Sequence, residues 1–77
     1  MPEIPIIKGK DFYKHLVRYG CIEVSIKGSH HKLHNPKASK TSIISIHSNK
    51  DIRKGSFASA LNQLGIDIDD FLKFIGS

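Results

Sequence analysis

Residues 28–34, Gly-Ser-His-His-Lys-Leu-His, carry the densest set of reactive side chains in this sequence. A glycine that permits a tight turn precedes a hydroxyl at Ser29, imidazoles at His30, His31 and His34, and an ammonium at Lys32. Imidazole has an ordinary pKa of about 6.5, so it can take up and release protons near neutral pH. Beside cations and backbone N–H groups, that property suits phosphate chemistry. His30 could accept the proton of a ribose 2′-hydroxyl while Lys32 and its neighbours hold the phosphate. The bland alternative is a solvated, inert strand histidine, a common occurrence.

Two further arrangements bear on the same chemistry. Lys54-Gly55-Ser56 places a lysine, a flexible glycine and a hydroxyl at the start of a helical pattern, where free backbone N–H groups bind anions. It lacks the spaced glycines of a nucleotide-binding P-loop. His30, His34 and His47 could instead converge on a metal ion, since first-row ions accept imidazole and zinc usually takes four ligands. Apart from Glu23, no cysteine, aspartate or glutamate stands near to complete that shell, so no metal is expected.

The elements that must position these groups follow from periodicity. Phe12, Leu16 and Tyr19, with Val17 beside them, recur at helical spacing over Asp11 to Tyr19, and Gly20 ends that helix. His15 reads as a solvated residue of it. Ile22 to Lys27 alternates strictly and predicts a half-buried strand with Ile22, Val24 and Ile26 inward. Gly28-Ser29 makes a turn into a second strand over His30 to Asn35. Leu33, its only aliphatic residue, must point inward with His31, leaving His30, Lys32 and His34 on the open face. Asn35 to Lys40 is a polar hairpin loop with Pro36. The third strand, Thr41 to His47, turns Ser42, Ile44 and Ile46 inward and Ser45 and His47 outward. A basic loop, Ser48 to Lys54, opens into a helix with Phe57, Ala60, Leu61 and Leu64 on one face, closed by Gly65. Asp67 then caps a short last helix containing Phe71, Leu72, Phe74 and Ile75. Residues 1–7, with two prolines, read as an extended arm whose Ile4, Ile6 and Ile7 pack along the core edge. The class is α+β, helix, three antiparallel strands, helix and short extra helix, with helices on one face and the other free to bind.

The whole-chain numbers set bounds. At 77 residues this is a single domain over residues 1–77, marginally stable alone. Twelve Lys and Arg against seven Asp and Glu leave +5, which favours a polyanion as ligand, the alternative being merely solvated lysines. The single cysteine, Cys21, excludes an internal disulfide and the Cys-pair zinc patterns, fits a reducing cytoplasmic setting, and reads as a small packing residue. No run of about twenty apolar residues exists and no signal-peptide pattern opens the chain, so no membrane association is expected.

Taken together, Gly9-Lys10-Asp11, Tyr19-Gly20, Lys27-Gly28-Ser29-His30-His31, Ile46-His47-Ser48, Lys54-Gly55-Ser56 and Leu61-Asn62-Gln63-Leu64-Gly65-Ile66 resemble, in order and spacing, the HicA toxins of HicA/HicB toxin-antitoxin modules. The likeness runs from about Lys8 to Phe74. It implies a fold similar to double-stranded-RNA-binding domains and the activity of an mRNA interferase, which cleaves mRNA without a metal cofactor and blocks translation. It also implies a HicB-type antitoxin partner that covers the site. The family's essential histidine follows the Gly-Ser turn, which points to His30, with His31 its neighbour. Ser29, Lys32, Lys54 and His47 are then the RNA and phosphate contacts, and His47 and Lys32 are the first candidates for a second proton-transfer group, with His34 behind them. Lys8 stands where the family often has a capping Ser or Thr, and the loop from Asn35 to Lys40 lacks the glycine often found there. Free, the chain is expected to be monomeric, and with an acidic antitoxin it forms a salt-sensitive hetero-oligomer. The main alternative is a non-catalytic RNA-binding module on the same fold.

Overall fold

The computed structural model describes residues 3–76. Its elements are α1 (Gly9–Tyr19), β1 (Ile22–Lys27), β2 (His30–Asn35), β3 (Lys40–Ser45), α2 (Lys54–Gln63) and α3 (Ile68–Ile75). The strands form one antiparallel sheet in the order β1-β2-β3. Of the expected arm, residues 1 and 2 lie outside the described residues. Residues 3–7 are irregular, with Ile4 buried and Ile7 packed against the core, but Ile6 is 81% exposed and takes no part in it.

Helix α1 starts two residues before the expected Asp11. Lys8 provides no side-chain cap. The loop after β3 supplies acceptors instead: Gly9 N–H donates to the Lys50 carbonyl at 2.9 Å and Lys10 N–H to the Ser48 carbonyl at 3.3 Å. These are N–H groups that the helix cannot satisfy itself. The approach is close, since a Cβ on Gly9 would stand 2.8 Å from the His47 carbonyl oxygen, so glycine is required there. At the other end Gly20, with φ +128°, donates to the carbonyls of Leu16 and Val17.

The register of the sheet fixes which residues share a face, because directly opposed antiparallel residues lie on the same side. Leu33 is opposite Ser42 and His31 opposite Ile44, and Leu33, Ser42, Ile44 and Ile46 are all buried on the helix-covered side. The outward positions expected for His30, Lys32, His34 and Ser45 therefore stand, but β3 ends at Ser45, so His47 lies beyond the strand expected to carry it. Strand β1 departs from expectation before its bulge: Ile22 pairs with the outward His34, while Ile26, opposite His31, keeps the expected side without being buried. Its pairing skips Val24, with Glu23 opposite Leu33 and Ser25 opposite Lys32, so a bulge resets the alternation. Glu23 lies on the helix side, and Ile22, Val24 and Ile26 are 56%, 56% and 57% exposed. The physical reason is that the helices pack toward the other side of the sheet, with α2 against β3, and leave β1 thinly covered. Tyr13 and His31, rather than apolar neighbours, meet its inner side: Tyr13 Oη donates to Glu23 Oε2 at 2.8 Å, and His31 Nδ1 is 2.8 Å from Glu23 Oε1.

Beneath the sheet Phe12, Phe57 and Phe71 are fully buried, with ring centroids 4.8, 5.9 and 5.8 Å apart pairwise. Phe71 belongs to α3, which is capped as expected, the Asp70 N–H donating to Asp67 Oδ2 at 3.1 Å. Two buried polar groups join sheet to α2: Asn35 Nδ2 donates to the Leu64 carbonyl at 2.8 Å, and Ser42 Oγ donates to Gln63 Oε1 at 2.6 Å. Cys21 is buried, and that burial pushes its thiol pKa up, as befits a packing residue. Among the described residues no helix is long and apolar enough to cross a membrane.

Candidate active site

His30 opens β2 at the exposed end of the first hairpin. Gly28 takes φ +61° while Ser29 stays at negative φ, the pattern of a type II′ turn with glycine first. That turn delivers His30 opposite Lys27 on one side and opposite Ser45 on the other. The Ser29 carbonyl accepts the Ile46 N–H at 2.8 Å, so the turn is tied to the end of β3 as well. His30 is exposed on the face the helices leave open. By register the outward positions there carry Lys27, His30, Lys32 and His34 and no carboxylate. Lys32 follows His30 on the same face, about 7 Å along the strand.

Across from His30, Ser45 leads to His47, whose Nε2 lies 3.5 Å from Ser45 Oγ. Ser45 and His47 also line a recess of about 460 Å³ shared with Gly9, Lys50, Asp51, Ile52, Arg53 and Ser56. A shallower recess of about 270 Å³ between β3 and α2 continues from Ser45 and Ser56 toward Gln63. The first recess is lined by Lys50, Asp51 and Arg53 of the loop whose Lys50 carbonyl also caps α1. The loop is further fixed by the Lys50 N–H to the His47 carbonyl at 3.0 Å and the Ile52 N–H to the Ile7 carbonyl at 2.8 Å.

The predicted residues are thus partly brought together. His30 pairs with Ser45, the hydroxyl of the same serine lies near His47, and Ser29 and Lys32 flank His30. Lys54 is the exposed first residue of α2 and does not line the recess; Arg53 and Ser56 do. His31 faces the helices, its ring 5.2 Å from that of Tyr13 and its Nδ1 on Glu23. The hydrogen bond from Tyr13, then the one from His31, holds the Glu23 carboxyl below the usual glutamate value, and the same bond raises Tyr13. His34 is turned to the far end of the sheet, with Nδ1 2.9 Å from Thr41 Oγ1. His30 and His34 are four residues apart on one strand, about 13 Å. Glu23 is on the opposite face, and among the described residues no group of three or more His, Cys, Asp or Glu is placed to hold a metal ion. Lys50, Arg53 and Gly9 were not legible as site residues, because the loop's tie to α1, including the Lys8 to Asp51 bridge, has no sequence signature beyond a run of basic residues.

Residues 9–66 match the family model of the HicA toxin of bacterial toxin-antitoxin systems. No curated protein matches the chain.

Proposed function

The chain belongs to the HicA toxin family, the toxin side of a two-part system whose other part is an antitoxin, and from that premise we propose that it is a metal-independent endoribonuclease that cleaves mRNA and so inhibits translation. The observation that carries the reading is the placement of His30. It follows a rigid Gly-Ser turn, stands on the open, carboxylate-free sheet face, and lies opposite a serine that leads to a second histidine. In this reading His30 is the general base that takes the 2′-hydroxyl proton. Ser29 orients the substrate, and Lys32, Lys54 and His47 contact RNA or its phosphates. The whole chain, residues 1–77, acts as one toxin domain in the cytoplasm, monomeric when free and bound to a HicB-type protein when silenced. The +5 charge supports both a polyanionic substrate and an acidic antitoxin.

The test is incubation of wild type and His30→Ala with a defined mRNA in excess EDTA, with mapping of the new ends. Cleavage by wild type that leaves 2′,3′-cyclic or 3′-phosphate ends, and falls about 10²–10⁴-fold in His30→Ala with RNA binding retained, supports the reading. Equal cleavage by both removes His30 from the chemistry. Binding without cleavage by either makes the chain an RNA-binding module.

A further inference from the structure

We infer that His47 is the second catalytic residue, the acid that protonates the departing 5′-oxygen, and that the recess beside it receives the leaving nucleotide. The inference rests on the ribonuclease reading above and adds a residue and a subsite to it. A base alone leaves half of the reaction unassisted, since breaking the P–O5′ bond puts a pair of electrons on an oxygen that must gain a proton.

The geometry points to His47 for that proton. His30 is directly opposite Ser45, and the alternation of β3 continues past its end: Ser45 exposed, Ile46 buried, His47 exposed. The Ile46 N–H bond to the Ser29 carbonyl carries the pairing one residue past β3, and extending it to His47 makes that residue the diagonal neighbour of His30, a relation of about 7–8 Å that large side chains can span. That spacing admits a phosphate between two imidazoles. The contact between His47 Nε2 and Ser45 Oγ keeps the ring beside the residue that pairs with His30. His34 is four residues away from His30 and turned onto Thr41, and His31 is on the other face, so neither can share that phosphate. Lysine is a poorer donor at neutral pH, with an ordinary pKa of about 10.4 against about 6.5 for imidazole. The recess of about 460 Å³ begins at His47 and presents Lys50, Arg53 and Asp51 around it. The two cations can hold the next phosphate.

The step balances. Neutral His30 removes the 2′-hydroxyl proton, the 2′-oxygen bonds to phosphorus, and the P–O5′ bond breaks with its electrons on the 5′-oxygen. Protonated His47 gives that oxygen its proton. The products are a 2′,3′-cyclic phosphate and a 5′-hydroxyl, with His30 protonated and His47 neutral, and exchange with water resets both.

The experiment compares wild type, His47→Ala, His47→Gln and His30→Ala on one short RNA and on the same RNA with sulfur in place of the scissile 5′-oxygen. A thiol has an ordinary pKa of about 8.5 and leaves without an acid. Both His47 variants should lose about 10²–10⁴-fold on the oxygen RNA, and both should come within about tenfold of wild type on the sulfur RNA, since that leaving group no longer draws on acid catalysis. His30→Ala should be slow on both. A His47 variant as fast as wild type on the oxygen RNA, or equally slow on both RNAs, overturns the proposal while leaving the ribonuclease reading intact. Wild type inert on both RNAs overturns that reading and the role of His47 with it.

Discussion

Replacing Gly9 with alanine tests whether α1 and the His47 loop are built as one piece. The added Cβ would stand 2.8 Å from the His47 carbonyl oxygen, 3.0 Å from Ile46 Cγ2 and 3.3 Å from the His47 carbonyl carbon. The nearest atom is backbone, so the clash cannot be relieved by swinging a side chain. Overpacking of this kind costs about 1–3 kcal/mol. Against it, alanine is favoured over glycine by up to about 1 kcal/mol inside a helix, and by less at the first helical residue, where Gly9 sits. The net expectation is a loss of about 1–2 kcal/mol, or roughly 4–16 °C in melting temperature for a domain of this size. Gly55, the second residue of α2, is the control: a Cβ there meets nothing within 4 Å. Gly55→Ala should be neutral or slightly stabilising. Thermal unfolding by circular dichroism reads both. Because the Gly9 clash displaces the carbonyl of His47 itself, RNA cleavage should fall as well, by up to about 10²-fold if the ring moves by an ångström. A Gly9→Ala protein that melts at or above wild type would refute the close approach and the coupling drawn from it.

Other outcomes are expected on the same footing. Asp67→Ala removes the acceptor that caps α3 and should cost about 1 kcal/mol in denaturant unfolding. Phe71→Ala empties a fully buried site against Phe12 and Phe57, a loss of about 3–5 kcal/mol that leaves a domain this small largely unfolded at 37 °C by calorimetry. Glu23 has a lowered pKa when folded, so its ion and hydrogen bonds stabilise above its ordinary value of 4.5 and that contribution is lost as pH falls through the folded value. The stability gap between wild type and Glu23→Gln should accordingly be larger at pH 7 than at pH 3, and a gap independent of pH would contradict the assignment. Association with an acidic antitoxin should weaken steeply between about 0.05 and 0.5 M salt, as titration calorimetry would show.

Where one element is pinned by strong packing on one side, the sequence speaks clearly. Leu33 is the only aliphatic residue of β2 and left no choice of face, and that decision placed His30, Lys32 and His34 outward correctly. Ile44 and Ile46 did the same for β3, and hence for Ser45 and His47. The alternation of β1 was equally clean, yet it put Ile22 and Glu23 on the wrong faces and predicted burial that Ile26 does not have. α2 packs against β3 and not against β1, so β1 lacks the covering layer that makes apolar residues point inward, and a one-residue bulge then changes parity without altering composition. Long-range backbone contacts were invisible for another reason. The capping of α1 by the Lys50 and Ser48 carbonyls uses groups that every residue carries, so only the close fit at Gly9 leaves a trace in the sequence.

The unpaired Val24 also governs what the sheet can become. The free edge of β1 offers backbone donors and acceptors flanked by the exposed Ile22, Val24 and Ile26, a template for open-ended addition of strands from neighbouring copies. The offset at Val24 denies an incoming strand a continuous repeat, and Lys27 closes the strand with a charge. Both features work against edge-to-edge pairing. Deleting Val24 should restore a continuous edge and so raise the tendency of copies to pair strand to strand, read as light scattering on concentration.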